Sequence, residues 1–253
     1  MEKKYIVITG ASSGIGRASA ITFAKKNKDV VLVARREEKF IELKNEINKI
    51  NPNVEVLIYV TDLSKRNEVF ELFEKLKNLP IETLINNAGI GSIKTTIEED
   101  TDYLIKLFDT NVSALMLLST LFLKYFGNNK GTQLINVSSG AGYSIYKKCV
   151  SYSASKFYVS TFTEGLSREM KENNLPLKVK LLVPEATESE FLQKALKINE
   201  KVDYGKKFEK YHTSEKLSEF LYELYESDYP VGRVDDKNYK FYLEDYHHPY
   251  IEW

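Results

Sequence analysis

Six short apolar runs, each rich in β-branched residues and most followed by a stretch of helical periodicity, restrict this chain more than any other feature. They span residues 5–9, 30–34, 54–60, 81–85, 133–137 and 178–183. After the second run, Phe40, Leu43, Ile47 and Ile50 mark one helix face; after the third, Val69, Phe70, Phe73 and Leu76 mark another. Strands that are apolar at nearly every residue must be covered on both faces, and intervening helices are the connection a parallel sheet requires. The pattern predicts a three-layer, doubly wound α/β fold. With 253 residues, 43% of them hydrophobic, the chain can enclose one such core. No repeat or Pro/Gly-rich linker divides it, so residues 1–253 are expected to form a single domain.

The rhythm loosens after about residue 187, where Lys, Glu and Tyr crowd the sequence. Two helices are expected there, near 188–198 and 213–226, the second begun by Thr213, with a last strand near 239–243 at the sheet edge. Residues 246–253 carry no pattern that assigns them. Thirty-six basic residues balance thirty-six acidic ones, so no global field favours nucleic acid or an anionic membrane. Met1-Glu2-Lys3-Lys4 lead into too short an apolar run for a signal sequence, and the apolar stretch 115–123 is shorter than the ~20 residues of a bilayer span. The single cysteine, Cys149, allows no internal disulfide, and a cytoplasmic protein is expected. His212, His247 and His248 share no ligand spacing with Cys149 or with acids, so no metal site is expected.

Between the first run and the first helix lies Thr9-Gly10-Ala11-Ser12-Ser13-Gly14-Ile15-Gly16. Glycines in such a turn let a pyrophosphate approach the backbone, and the helix N-terminus offers free N–H groups to anionic oxygen. The spacing is not GxGxxG, and a purely structural turn is the alternative. The second run ends in Arg35-Arg36, where an acidic residue would bind a ribose 2′-hydroxyl. Two guanidinium groups there suit a 2′-phosphate, which favours NADP(H), with NAD(H) as the second option. The bland reading of the two arginines is solvated charge at a helix start.

Tyr152 and Lys156 stand four residues apart at the start of a helical stretch, on one face, thirteen and seventeen residues after Ser139. A phenol of pKa near ~10 is a sluggish acid or base at neutral pH. A neighbouring ammonium, together with the positive nicotinamide of an oxidised cofactor, is expected to stabilise the phenolate and lower that pKa, while Ser139 holds the reacting oxygen. Tyr143 and Lys147 repeat the spacing inside a predicted loop, which leaves Tyr143 to a pocket wall or to packing. Ser138 is expected to point to the other side of its strand.

Together with Asp62-Leu63 after the third run, Asn86-Asn87-Ala88-Gly89 after the fourth, and Asn111 within an apolar helix over 101–126, these motifs resemble the short-chain dehydrogenase/reductase family in order and approximate spacing over residues 5–190. The resemblance implies a Rossmann-type sheet of about seven strands and hydride transfer between a nicotinamide cofactor and a small-molecule carbonyl or secondary alcohol, of carbonyl reductase type. It implies that Gly10, Ser12, Ser13, Gly14, Ile15 and Gly16 hold the cofactor's phosphates and adjoining ribose. Asp62 and Leu63 would border its adenine, and Asn87, Ala88 and Gly89 would support the sheet beside the adenine ribose. Tyr152 would move the proton, Ser139 would bond the same oxygen, Lys156 would also grip the nicotinamide ribose, and Asn111 would hold a water. A homodimer or homotetramer through helices 101–126 and 152–170 is implied as well. The chain departs from the family at Pro184-Glu185-Ala186-Thr187, where a glutamate replaces the usual glycine. Pro184 and Thr187 remain assigned to the cofactor, and residues 188–212 to a substrate lid. Glu185 keeps a second reading open, a nicotinamide-binding regulatory or structural protein with vestigial catalysis.

Overall fold

The computed structural model describes residues 3–252; Met1, Glu2 and Trp253, at the ends of the expected domain, lie outside the described residues. The first half alternates strictly: β1 (Tyr5–Thr9), α1 (Gly14–Lys25), β2 (Asp29–Ala34), α2 (Glu37–Ile50), β3 (Val56–Val60), α3 (Arg66–Leu76) and β4 (Ile81–Asn86). Next come α4 (Thr101–Phe108), α5 (Ala114–Phe126), β5 (Gln133–Val137), α6 (Val150–Glu172) and β6 (Lys178–Val183). The remainder is β7 (Thr187–Glu188), α7 (Glu190–Leu196), α8 (Tyr204–Lys207), β8 (His212–Thr213), α9 (Ser214–Glu226), β9 (Val231–Val234) and β10 (Phe241–Glu244).

The main sheet has the order β10-β9-β6-β5-β4-β1-β2-β3, with β10 antiparallel to β9 and every other pairing parallel. The expected doubly wound fold is present, with eight strands where about seven were expected. The strand expected near 239–243 is β10; its neighbour β9, only four residues long and directly after Pro230, has too little length to register as an apolar run. Chain order reverses between β1 and β4, and the crevice beyond their C-terminal ends is where such sheets bind ligands.

Both sheet faces are covered. On one, Phe23, Phe40, Leu43, Ile47 and Leu221 of α1, α2 and α9 pack on Ile6, Ile8 and Leu32. On the other, Val69, Leu72, Leu118, Phe122 and Met170 of α3, α5 and α6 pack on Val7, Val31 and Leu84. Each large apolar side chain fully withdrawn from water contributes about 1.5–3 kcal/mol, which is why the apolar periodicity decides the architecture. Ile50 and Phe70, at the margins of their helix faces, stay exposed.

The helix expected over 101–126 is continuous but not uniformly α: a π turn at Asp109–Ser113 joins α4 to α5. By length and composition alone Thr101–Phe126 could cross a bilayer, a longer span than the 115–123 run suggested. Here its inner residues Ala114, Leu118 and Phe122 pack onto the sheet, while Ile105, Met116 and Tyr125 are exposed. The unassigned tail lies along α6. The backbone N–H groups of His247 and His248 donate to buried Glu164, each at 2.9 Å, and Arg168 stacks over Tyr246 and Tyr250. The tail thus lies against one side of α6, at Thr161, Glu164 and Arg168.

Lys180, an interior residue of β6, is 2% exposed. Its ammonium donates to Leu224 O, Tyr225 O and Ser227 O at 2.8, 2.8 and 2.6 Å, closing the C-terminus of α9. Burial lowers its pKa to about 8, so the charge that makes these bonds persists at neutral pH. Lys180→Met is expected to strand these acceptors, costing about 3 kcal/mol and lowering the Tm in scanning calorimetry by roughly 10 °C. An unchanged Tm would show that the end of α9 is satisfied without it.

Candidate active site

At the C-terminal ends of β1, β4, β5 and β6 the loops enclose a cavity of about 670 Å³, a volume suited to a cofactor with a small partner molecule. The first wall is the glycine turn. Gly10 has φ +67°, and a Cβ there would come within 2.8 Å of Ala88 Cα, so the position requires glycine. Ser13 is the N-cap of α1 but makes no capping bond, and the first turn carries no acid. The helix thus presents its N–H groups to the cavity without a side-chain acceptor, a cradle that fits a phosphate. Thr9 Oγ1 accepts from Asn87 N and Ala88 N at 3.0 Å each, and Asn87 Nδ2 donates to Thr9 O at 2.9 Å. These bonds hold the ends of β1 and β4 in register under the turn.

Arg35 and Arg36 line the same end. Arg36 donates to Ser12 Oγ and to Glu190 Oε2, each at 3.1 Å. Asp62 faces them. Burial raises its pKa, but hydrogen bonds from Ser64 and the charge of Arg35 outweigh it and leave the carboxyl below its usual value. Of the residues assigned to the cofactor, Ser12, Ser13, Gly14, Ile15, Leu63, Gly89, Pro184 and Thr187 also line the cavity; Gly16 is buried behind it. Thr187 turns its hydroxyl onto Glu185 O at 2.8 Å.

The other end is built by β5 and α6. Asn136 Oδ1 accepts from Asn86 Nδ2 at 3.0 Å and its own Nδ2 donates to Thr163 Oγ1 at 2.9 Å, a buried network that ties β4, β5 and α6 together just beneath the site. From there the chain delivers Ser139 to the cavity, while Ser138 turns away to bond Lys156 O and Ser160 Oγ at 3.0 and 2.8 Å. Tyr152 and Lys156, one turn apart on α6, join Ser139 on this wall.

Burial dominates their electrostatics. Burial pushes the Tyr152 phenol up to about 12, and the hydrogen bond with Ser139 opposes that only in part. Lys156 Nζ donates to Val137 O at 2.9 Å and lies 5.9 Å from the Tyr152 ring centre. Burial lowers the lysine to about 8. In this wall desolvation is the largest influence on the phenol; the expected lowering calls for the lysine and the oxidised nicotinamide together.

Asn111 sits in the π turn, 1% exposed and outside the cavity wall. It donates to Ile90 O and Ser155 Oγ at 2.9 and 3.1 Å and accepts from Ile90 N at 2.9 Å. Both amide hydrogens are committed to bracing the loop after β4 against α6. Tyr143 belongs to packing, stacked on His248 with its hydroxyl on Glu164, whereas its partner in the decoy pair, Lys147, reaches the cavity. The sequence reading missed Tyr146, Phe191, Phe208 and Tyr239, all in the cavity wall. Phe191 of α7 packs on the Tyr152 ring with 5.4 Å between centres.

Residues 4–200 match the family model described as short chain dehydrogenase. An uncharacterized oxidoreductase of Staphylococcus saprophyticus is 32% identical over 177 residues, covering 69% of this chain and 75% of that protein. Human 17-beta-hydroxysteroid dehydrogenase type 3 is 30% identical over 178 residues, 70% of this chain but 57% of that protein, so the match spans little more than half of its length. A short-chain dehydrogenase from Sphingobium yanoikuyae in complex with NADPH superposes with a TM-score of 0.78 at 25% identity, covering 87% of this chain and 83% of that one.

Proposed function

Because the chain belongs to the short-chain dehydrogenase/reductase family, we propose that it is an NADP(H)-dependent oxidoreductase interconverting a small carbonyl compound and its secondary alcohol. One observation carries this reading: Ser139, Tyr152 and Lys156 share one wall of a cavity whose far end carries the glycine turn and Arg35-Arg36. Gly10, Ser12, Ser13, Gly14 and Ile15 would hold the cofactor's phosphates at the start of α1, Arg35 and Arg36 its 2′-phosphate, and Asp62 and Leu63 its adenine. When bound, the nicotinamide supplies or takes up the hydride.

The chain's own residues manage the oxygen and its proton. Ser139 holds the carbonyl oxygen by hydrogen bonding as charge develops on it. Tyr152, its phenol pushed up to about 12 by burial and so protonated at neutral pH, donates its proton to that oxygen in reduction; in oxidation it must first be the phenolate to receive one. Lys156 anchors the end of β5 through Val137 O and places a positive charge behind the phenol. Asn111 positions both by fixing the loop at Ile90 against α6. Residues 188–212 act as a lid, with Phe191 pressed on Tyr152 to keep water from the reacting oxygen. Self-association, where it occurs, uses the exposed apolar side of Thr101–Phe126, with Ile105 and Met116.

The test is oxidation of NADPH against a panel of ketones, aldehydes and diketones. Turnover is expected with NADPH, and the reduction rate is expected to fall as pH rises through about 8, where Lys156 loses its proton, rather than near 12, where Tyr152 does. Cofactor binding without turnover across the whole panel would favour a regulatory protein instead.

A further inference from the structure

Glu185 stands where the family's glycine would leave open space, and its carboxylate is held inside the cavity wall. Its carboxylate lies over Gly140, in space that a Cβ on residue 140 would enter. Gly140 directly follows Ser139, and its N–H donates to Pro184 O at 2.9 Å. Two backbone segments thus clamp the carboxylate beside the serine that would hold the reacting oxygen.

Only half of that carboxylate is used by the protein. Tyr146 donates its hydroxyl to Oε2 at 2.8 Å, and among the described residues no hydrogen bond or ion pair reaches Oε1. Lys147 lines the same cavity without pairing to it, and Arg233, the other cation near it, is taken by Glu244 at 2.7 Å and lies 3.9 Å from Asp235. Asp235 and Asp236 add to the negative potential, and burial already raises the carboxyl's pKa. Glu185 is half-buried, and the bond from Tyr146 leaves Oε1 free to accept from a molecule in the cavity. Tyr146 and Tyr239 flank it in the cavity wall, and aromatic rings beside a carboxylate favour an organic cation.

We infer that Glu185, with Tyr146 and Tyr239, forms a subsite for a protonated amine that the substrate carries close to its reacting carbon, so that the preferred substrates are amino ketones and the corresponding amino alcohols. The inference rests on the proposed reaction at Ser139 and Tyr152, because their place fixes which part of the substrate reaches Glu185. The same carboxylate repels oxo acids.

Two measurements test it. Calorimetry of the NADPH complex compares 1-amino-2-propanol with the neutral 1,2-propanediol, and steady-state kinetics compare aminoacetone with butanone, each on wild type, Glu185→Gln and Glu185→Asp. The amine is expected to bind about 10- to 100-fold more tightly than the diol, and aminoacetone to be preferred to a similar degree, mainly through KM. Glu185→Gln keeps the shape and is expected to erase both preferences, while Glu185→Asp keeps the charge and part of them. Equal affinity for amine and diol in the wild type, or a preference that survives Glu185→Gln, overturns the subsite. If butanone is reduced without any amine preference, the subsite fails and the reductase reading stands. If the amine binds selectively through Glu185 but neither ketone is reduced, the subsite stands and the reductase reading fails.

Discussion

Tyr152→Phe is expected to lower kcat/KM for NADPH-dependent carbonyl reduction by about three orders of magnitude, within the range that a positioned general acid contributes. The substitution removes one oxygen and little else. The ring still packs on Phe191, Ser139 keeps its bond from Ala141 N at 3.2 Å, and Lys156 keeps its bond to Val137 O. Because those contacts remain, NADPH should still bind, and fluorescence titration of the cofactor separates a lost proton donor from a damaged site. The loss should appear in kcat and kcat/KM alike, as for a group that acts only in the transition state. A variant that kept a substantial share of the wild-type rate, with cofactor bound, would remove Tyr152 from the chemistry and pass the proton to another group.

That prediction uses a residue readable from sequence and a property that is not. The order of β1 to β6 followed from β-branched runs because strands buried on both faces must be apolar throughout. The Ser139–Tyr152–Lys156 wall followed from spacing, and the structure separates it from the equally spaced Tyr143 and Lys147 by sending Tyr143 to the α6 side, against the tail. The direction of the Tyr152 shift depends on how deeply the phenol is buried and where the ammonium of Lys156 points, and both are tertiary facts. The π turn around Asn111 was hidden for a similar reason. Its Asn111 is held by tertiary bonds to Ile90 and Ser155, whereas helix periodicity through 101–126 reads as unbroken. Tyr146 lies in a loop and Phe191 on a short helix, neither marked by its local sequence as facing a site, so only the closing of the chain over β5 and β6 brings them there. Strand β9 is too short to show in a sequence, and its place beside β6 is fixed by the parallel pairing of Val231 with Leu181.

The second large effect concerns the cofactor. Arg36→Ala is expected to weaken NADPH binding by about 10- to 100-fold, the worth of one charge-assisted bond, with little change in NADH binding. Arg36 is the better placed of the two arginines, half-buried and aligned by Ser12 of the glycine turn at 3.1 Å, whereas Arg35 is exposed and directed toward Asp62. Its other amino group is paired with Glu190 at the start of α7, and Glu190 in turn pairs with Lys194 at 2.5 Å. A carboxylate from the lid therefore sits where an anion is wanted, and a 2′-phosphate must share Arg36 with it or displace it. Glu190→Gln should then act in the opposite direction, tightening NADPH while leaving NADH nearly unchanged. The paired titrations are to be run at two ionic strengths, because a contact between partly exposed charges weakens as salt is added. If wild type bound NADH more tightly than NADPH, or if Arg36→Ala weakened both cofactors equally, the guanidinium would be a structural tie between the glycine turn and the lid and not a phosphate contact.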